Sequence, residues 1–149
     1  MSSETLKAVQ VACPGCLTPN RVPAARLGED PKCGKCGAAL LDGHPLALDE
    51  ASFDAFVGRT ELPVLVDFWA PWCGPCRAMA PAFEQAAGEL RQSVRFAKLD
   101  TDQAQAIAAR AGIRAIPTMV LYRAGKELAR TSGAMDAGSL RRWLAEHAA

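Results

Sequence analysis

From residue 49 onward, apolar and polar positions alternate with two different periods, and each change of period marks an element. "DEASFDAFV" has helical spacing behind Asp49, a short acidic residue suited to an N-cap. "PVLVDFWA" is a β-branched apolar run with the length of a buried strand, and "PCRAMAPAFEQAAGEL" returns to helical spacing through Leu90. "VRFAKLD" then reads as a strand and "QAQAIAARAG" as a helix ended by Gly112. "TMVLYRAG" and "KELARTSG" form a hairpin around Ala124 and Gly125, and "AGSLRRWLAEHA" is a closing amphipathic helix. The order expected is β-α-β-α-β-α-β-β-α. Such an alternation, ending in a hairpin, implies an α/β fold with a mixed sheet and helices on both faces. Pro81 is expected to interrupt the hydrogen bonding of the second helix.

The first 41 residues follow neither period. They are rich in turns and cysteines and poor in large apolar side chains, so the segment is expected to have no core of its own. The Gly- and Pro-punctuated joint "LDGHPLAL" follows, placing a boundary near residue 43 and dividing the chain into 1–43 and 44–149.

Composition narrows the classes. A chain of 149 residues suffices for one ordinary core plus a small appendage. No apolar run reaches the roughly 18 residues that a membrane span needs, and "MSSETLKAVQVAC" lacks the charged and apolar regions of a secretory leader. A cytoplasmic location is therefore expected. Residues 1 to 45 carry five Lys or Arg against four Asp or Glu, so no basic face points to nucleic acid.

All six cysteines lie in C-x-x-C pairs. In a reducing compartment such pairs bind metal or do redox chemistry more often than they staple. Cys13, Cys16, Cys33 and Cys36 have the spacing C-x2-C-x16-C-x2-C, which suits a four-thiolate zinc site. Gly34 and Gly37 suit the tight turns of its two knuckles. Four sulfurs leave no open position, so the zinc would be structural. Two disulfides in an exported domain, an iron-sulfur cluster or a mononuclear iron are the alternatives. His44 reads as an ordinary loop residue.

Cys73 and Cys76 stand apart, between an apolar strand and a helix. At i and i+3 in a first helical turn they can close a small disulfide ring. The helix N-terminus favours a thiolate on Cys73, making it the attacking nucleophile, and leaves Cys76 as the resolving thiol. Pro75 suits a helix start, and Gly74 with it sets the loop. Asp67, inside an apolar strand, is expected to be buried with a raised pKa, moderated if Lys98 pairs with it. Of the two neighbouring tryptophans, Trp69 is the better core candidate.

"VDFWAPWCGPCRAMAP" and "GIRAIPT" resemble the two active-site segments of the thioredoxin family, over roughly residues 46 to 149. The N-terminal knuckles, with "NRVP" between them, further resemble the zinc ribbon that precedes the fold in bacterial zinc-binding thioredoxins. The resemblance implies the thioredoxin fold and a thiol-disulfide oxidoreductase that reduces protein disulfides. It also implies recharging by an NADPH-dependent flavoprotein, thioredoxin reductase, with no organic cofactor bound. It assigns Asp67 to proton transfer at Cys76, a cis bond to Pro117, and a substrate-docking rim of Trp72, Ile116, Pro117 and Gly133. An oxidase or isomerase using the same dithiol is the nearest competing reading. A binding module, with a recognition ribbon on a scaffold domain, is the other.

Overall fold

A computed structural model describes residues 7–148. The outer limits 1 and 149 of the two expected domains, and the first six residues of the stretch read for a leader, lie outside those residues.

The chain begins with a two-stranded antiparallel hairpin, β1 (Ala8–Ala12) and β2 (Pro19–Pro23). The remaining strands are β3 (Leu46–Leu48), β4 (Val64–Trp69), β5 (Arg95–Asp100), β6 (Thr118–Arg123) and β7 (Lys126–Ser132). They form one sheet in the order β3-β5-β4-β6-β7, in which β3 and β4 run parallel to β5 while β6 and β7 are antiparallel additions. The helices are α1 (Phe53–Arg59), α2 (Gly74–Glu89), α3 (Gln105–Arg110) and α4 (Ala137–His147). The expected mixed α/β fold is therefore present, and its leading strand, for which the pattern supplied no segment, is β3 inside the presumed joint.

Strand β4 sits at the centre of the sheet, which explains its unbroken apolar run. Val64, Val66 and Phe68 face one layer with Phe53 and Phe56 of α1 and Ile107 of α3. Leu65 faces the other, with Met79 and Phe83 of α2 and Leu140 and Leu144 of α4. By the two-residue alternation of a strand, Asp67 belongs to the side of Leu65 and α2. The β6–β7 turn has both central residues, Ala124 and Gly125, at positive φ of 50° and 84°, as a two-residue hairpin turn of matching twist requires.

Three local expectations are corrected. Asp49 does not cap α1 directly. Its Oδ1 accepts from the Ser52 N–H at 2.8 Å while Ser52 Oγ accepts from the Asp49 N–H at 3.0 Å, closing a reciprocal turn one step before the helix. The N-terminal segment does have a core: Val11, Val22, Leu40 and Leu41 pack around Cys13 and Cys33, and Leu62 completes the cluster from beyond the joint. Gly34 is not among the residues with positive φ; Gly37 is, at 80°, and its counterpart in the first knuckle is Leu17, at 65°. As expected, α2 holds Pro81 in its interior, where proline supplies no amide proton to the helix ladder, and it runs on to Glu89.

The hairpin is tied to the sheet domain through Arg59, Thr60 and Glu61. Gln10 and Glu61 exchange two bonds, 2.7 Å each, with Gln10 N–H donating to Glu61 Oε1 and Glu61 N–H to the Gln10 carbonyl. Ala12 N–H donates to Oγ1 of fully buried Thr60 at 3.2 Å. These contacts lie just before β4 begins. Nearby, Arg95 is 1% exposed, its Nη2 lies 3.7 Å from Asp42 Oδ1, and its guanidinium rests 6.0 Å from the Phe56 ring centroid. Asp42 at the joint is thus the counter-ion of a cation buried under the sheet.

Candidate functional site

The end of β4 opposite the hairpin carries the third cysteine pair. Cys73 and Cys76 are joined in a disulfide with a Cα–Cα separation of 5.2 Å. Cys73 is the N-cap of α2 rather than a residue of its first turn, and Gly74 and Pro75 open the helix. The Cys76 N–H points at Cys73 Sγ, 3.2 Å away. When the bond is reduced, that amide and the helix dipole stabilise negative charge on this sulfur. Both sulfur residues are nearly covered, Cys73 at 5% and Cys76 at 3% exposure, so access to Cys73 depends on the rim around it.

One wall of that rim is the loop before β6. The Ile116–Pro117 peptide bond is cis, and the Ile116 carbonyl oxygen lies 3.8 Å from Cys73 Sγ. The loop is pinned from behind by Thr118 Oγ1, which donates to the Ala115 carbonyl, and by Gly133 N–H, which donates to the Pro117 carbonyl at 2.9 Å. Gly133 has φ 99°, a conformation that favours glycine. The other wall is Trp72, 68% exposed, whose Nε1–H donates to Asp102 Oδ2 at 2.8 Å. Trp69 is half-buried beside the dithiol. Of the four residues expected to form a docking rim, Ile116 meets Cys73 Sγ, Pro117 follows it, Gly133 bonds to the Pro117 carbonyl, and Trp72 adjoins Cys73 in the chain. Asp102 and Thr118 were missed: Asp102 follows β5, some thirty residues from Trp72, and Thr118 lies inside "GIRAIPT" but pins the loop through a contact that the motif does not announce.

Asp67 is 2% exposed and its Oδ1 has no hydrogen-bond partner. Burial pushes its carboxyl up to about 7, against a smaller opposing pull from Lys98. Lys98 stands opposite Asp67 in the β4–β5 register, but its ammonium lies over the Trp69 ring at 4.3 Å, and no direct ion pair joins it to Asp67 among the described residues. The folded protein therefore keeps a proton on Asp67 that the unfolded chain gives up near pH 4. This contribution to stability is fully present below about pH 4 and lost as pH rises to about 7. At pH 8 the oxidised Asp67→Asn variant is expected to be about 2–4 kcal/mol more stable than the wild type, given a folded value of about 7. Urea unfolding at pH 4, 6 and 8 checks this; a gap that does not widen with pH contradicts it.

The other four cysteines form a second centre. Their sulfurs all lie within 4.8 Å of one another, with Cys13 and Cys36 Sγ 3.5 Å apart and Cys16 and Cys33 Sγ 3.7 Å apart. A tetrahedral zinc at about 2.3 Å from each sulfur asks for sulfurs about 3.8 Å apart, so the set fits. Each knuckle repeats the same turn: Leu17 N–H to the Cys13 carbonyl and Gly37 N–H to the Cys33 carbonyl, both at 2.9 Å. Backbone amides of Gly15 and Cys16 point at Cys13 Sγ and that of Lys35 at Cys33 Sγ, at 3.3–3.4 Å. Asn20 binds the knuckles together: its amide approaches Cys33 Sγ at 3.5 Å and its Oδ1 accepts from Gly34 N–H at 2.9 Å. His44 is outside this cluster, bonded to Glu84 at 2.6 Å.

A strand-to-helix disulfide beside a cis-proline loop, on a mixed sheet covered on both faces, defines a dithiol-disulfide exchange protein, here with a four-thiolate ribbon in front. Comparison with known proteins agrees. The family model for thioredoxin matches residues 44–146, and a model described as "Thioredoxin 2, N-terminal", a zinc ribbon, matches residues 12–38. Thioredoxin C-3 of Corynebacterium nephridii is 44% identical over 90% of this chain and 92% of its own length. The M-type chloroplastic thioredoxin of Chlamydomonas reinhardtii is 35% identical over 80% and 87%, and a thioredoxin of Haemophilus influenzae is 37% identical over 68% and 95%. The chain belongs to the thioredoxin family, whose members are protein-disulfide oxidoreductases. No helix among the described residues is long and apolar enough to cross a membrane.

Proposed function

We propose that this protein reduces disulfides in other proteins, through Cys73 and Cys76, in the cytoplasm. The observation that carries this reading is the placement of Cys73 Sγ between the Cys76 amide, at 3.2 Å, and the carbonyl of Ile116, at 3.8 Å. In the reduced form the Cys73 thiolate attacks one sulfur of a target disulfide. A Cys73–target disulfide forms and the second target sulfur leaves as a thiolate. Cys76 then loses its proton to the Asp67 carboxylate and attacks Cys73 Sγ. The intramolecular disulfide closes as the Cys73–target bond breaks, and the first target sulfur departs as a thiolate with the bonding pair, which completes the two-electron reduction of the target.

Target backbone is held in extended form against Ile116 and cis-Pro117, with Trp72 and Gly133 flanking it. Residues 1–43 act as a zinc ribbon and 44–149 as the redox domain. Cys13, Cys16, Cys33 and Cys36 hold one zinc ion, which supplies cross-linking alone, since four sulfurs fill its coordination sphere. Two electrons return from an NADPH-dependent flavoprotein reductase.

The test is a coupled assay of the zinc-loaded chain with such a reductase, NADPH and insulin. Catalytic NADPH consumption with insulin precipitation is expected. Oxidation of a reduced dithiol protein faster than reduction of insulin would contradict the assignment and favour an oxidase.

A further inference from the structure

Two cations flank the dithiol without an acidic partner. Arg114 stands two residues before Ile116, is exposed, and makes no hydrogen bond, ion pair or ring contact among the described residues. Arg77 follows Cys76, is also exposed, and reaches only the Pro71 carbonyl at 3.5 Å. The acid on this rim, Asp102, is committed to Trp72 Nε1–H. Asp102 keeps its negative charge in that bond, so the positive charge left without an acidic partner is local to Arg114 and Arg77.

Arg114 also has a cavity beside it. Together with Thr101, Ala108, Ile113, Ala115 and Ile116 it lines a space of about 140 Å³. This space shares Ile116 with the wall of the dithiol, where the carbonyl lies 3.8 Å from Cys73 Sγ. Its alanine and isoleucine walls suit the methylene groups of a short side chain, and Arg114 in its lining carries a guanidinium suited to a carboxylate in a paired, two-point contact.

We propose that Arg114 and this cavity form a side-chain subsite that selects target proteins carrying Asp or Glu next to the attacked cysteine. The inference rests on the reading of Cys73 as the nucleophile for protein disulfides. A target strand lying along Ile116 brings the residue beside its cysteine to the cavity, and Arg77 on the opposite flank adds attraction without a pocket.

Single-turnover reduction of matched disulfide peptides by the reduced, zinc-loaded chain tests this, with Glu, Gln or Lys at both positions flanking the cysteine. The expected order of rate constants is Glu, then Gln, then Lys, with about fivefold between the extremes at low salt. The spread is expected to collapse in about 1 M salt, where charges are screened within about 3 Å. Arg114→Gln is expected to narrow the spread and Arg114→Glu to reverse the order. Equal rates for the three peptides, or an unaltered spread in Arg114→Gln, would overturn the subsite and leave the proposed function standing. Reduction of none of the peptides would overturn both.

Discussion

Cys73→Ser is expected to lower the rate of insulin reduction by at least about 10³-fold, because a serine hydroxyl in the same position is not ionised and cannot attack sulfur. The sheet should be unaffected, since Cys73 belongs to a small cluster with Ala70 and Cys76 and lies outside the two large apolar layers. Cys76→Ser should behave differently. It keeps the nucleophile and removes the group that resolves the adduct, so a target protein should remain attached to Cys73 and be recovered as a mixed disulfide by mass spectrometry. The backbone amides of Trp72 and Ile116 should then be protected from hydrogen exchange in that adduct. If Cys73→Ser retained activity, or if Cys76→Ser trapped nothing, the assignment of the two roles would be wrong.

Removal of zinc is expected to unfold the ribbon and leave the sheet domain folded. The ribbon core consists of a few aliphatic residues around Cys13 and Cys33, too little to order some 30 residues without a cross-link. Metal binding to a four-thiolate site of this kind is worth about 10–16 kcal/mol of apparent folding free energy. The two layers around β4, by contrast, draw only Ala12 and Leu17 from the ribbon among the described residues. After chelation, hydrogen exchange should show loss of protection along the Ala8–Ala12 and Pro19–Pro23 ladder, with Val64–Trp69 still protected. Insulin reduction should change little, because the ribbon docks before β4 and the dithiol follows it, about 20 Å apart along six strand residues. A ladder that stays protected without metal would contradict the structural role given to zinc.

Much of this was legible in the sequence, for reasons that differ by residue. The dithiol is a local signal, four residues at a strand-to-helix junction, and the ribbon is a pair of such signals at a fixed separation. Asp67 is visible because an acid in "PVLVDFWA" contradicts everything around it. The cis bond at Pro117 and the docking rim came through family resemblance, since nothing in the local composition distinguishes that proline. β3 escaped because three residues at a sheet edge carry no period. The ribbon core escaped because Leu62 joins it from about fourteen residues beyond the joint and the cysteines themselves supply apolar surface. Trp72–Asp102 and Arg95–Asp42 escaped for the same physical reason: each pairs groups that only the folded sheet brings together.

The most direct test of dithiol chemistry at Cys73 and Cys76 is a redox titration of the zinc-loaded chain, with alkylation and mass spectrometry reporting each cysteine at every potential. The expected result is a single two-electron transition confined to Cys73 and Cys76, near about −270 mV, the value typical of thioredoxins. A transition carried by Cys13, Cys16, Cys33 and Cys36, or one at about −180 to −120 mV, would contradict it.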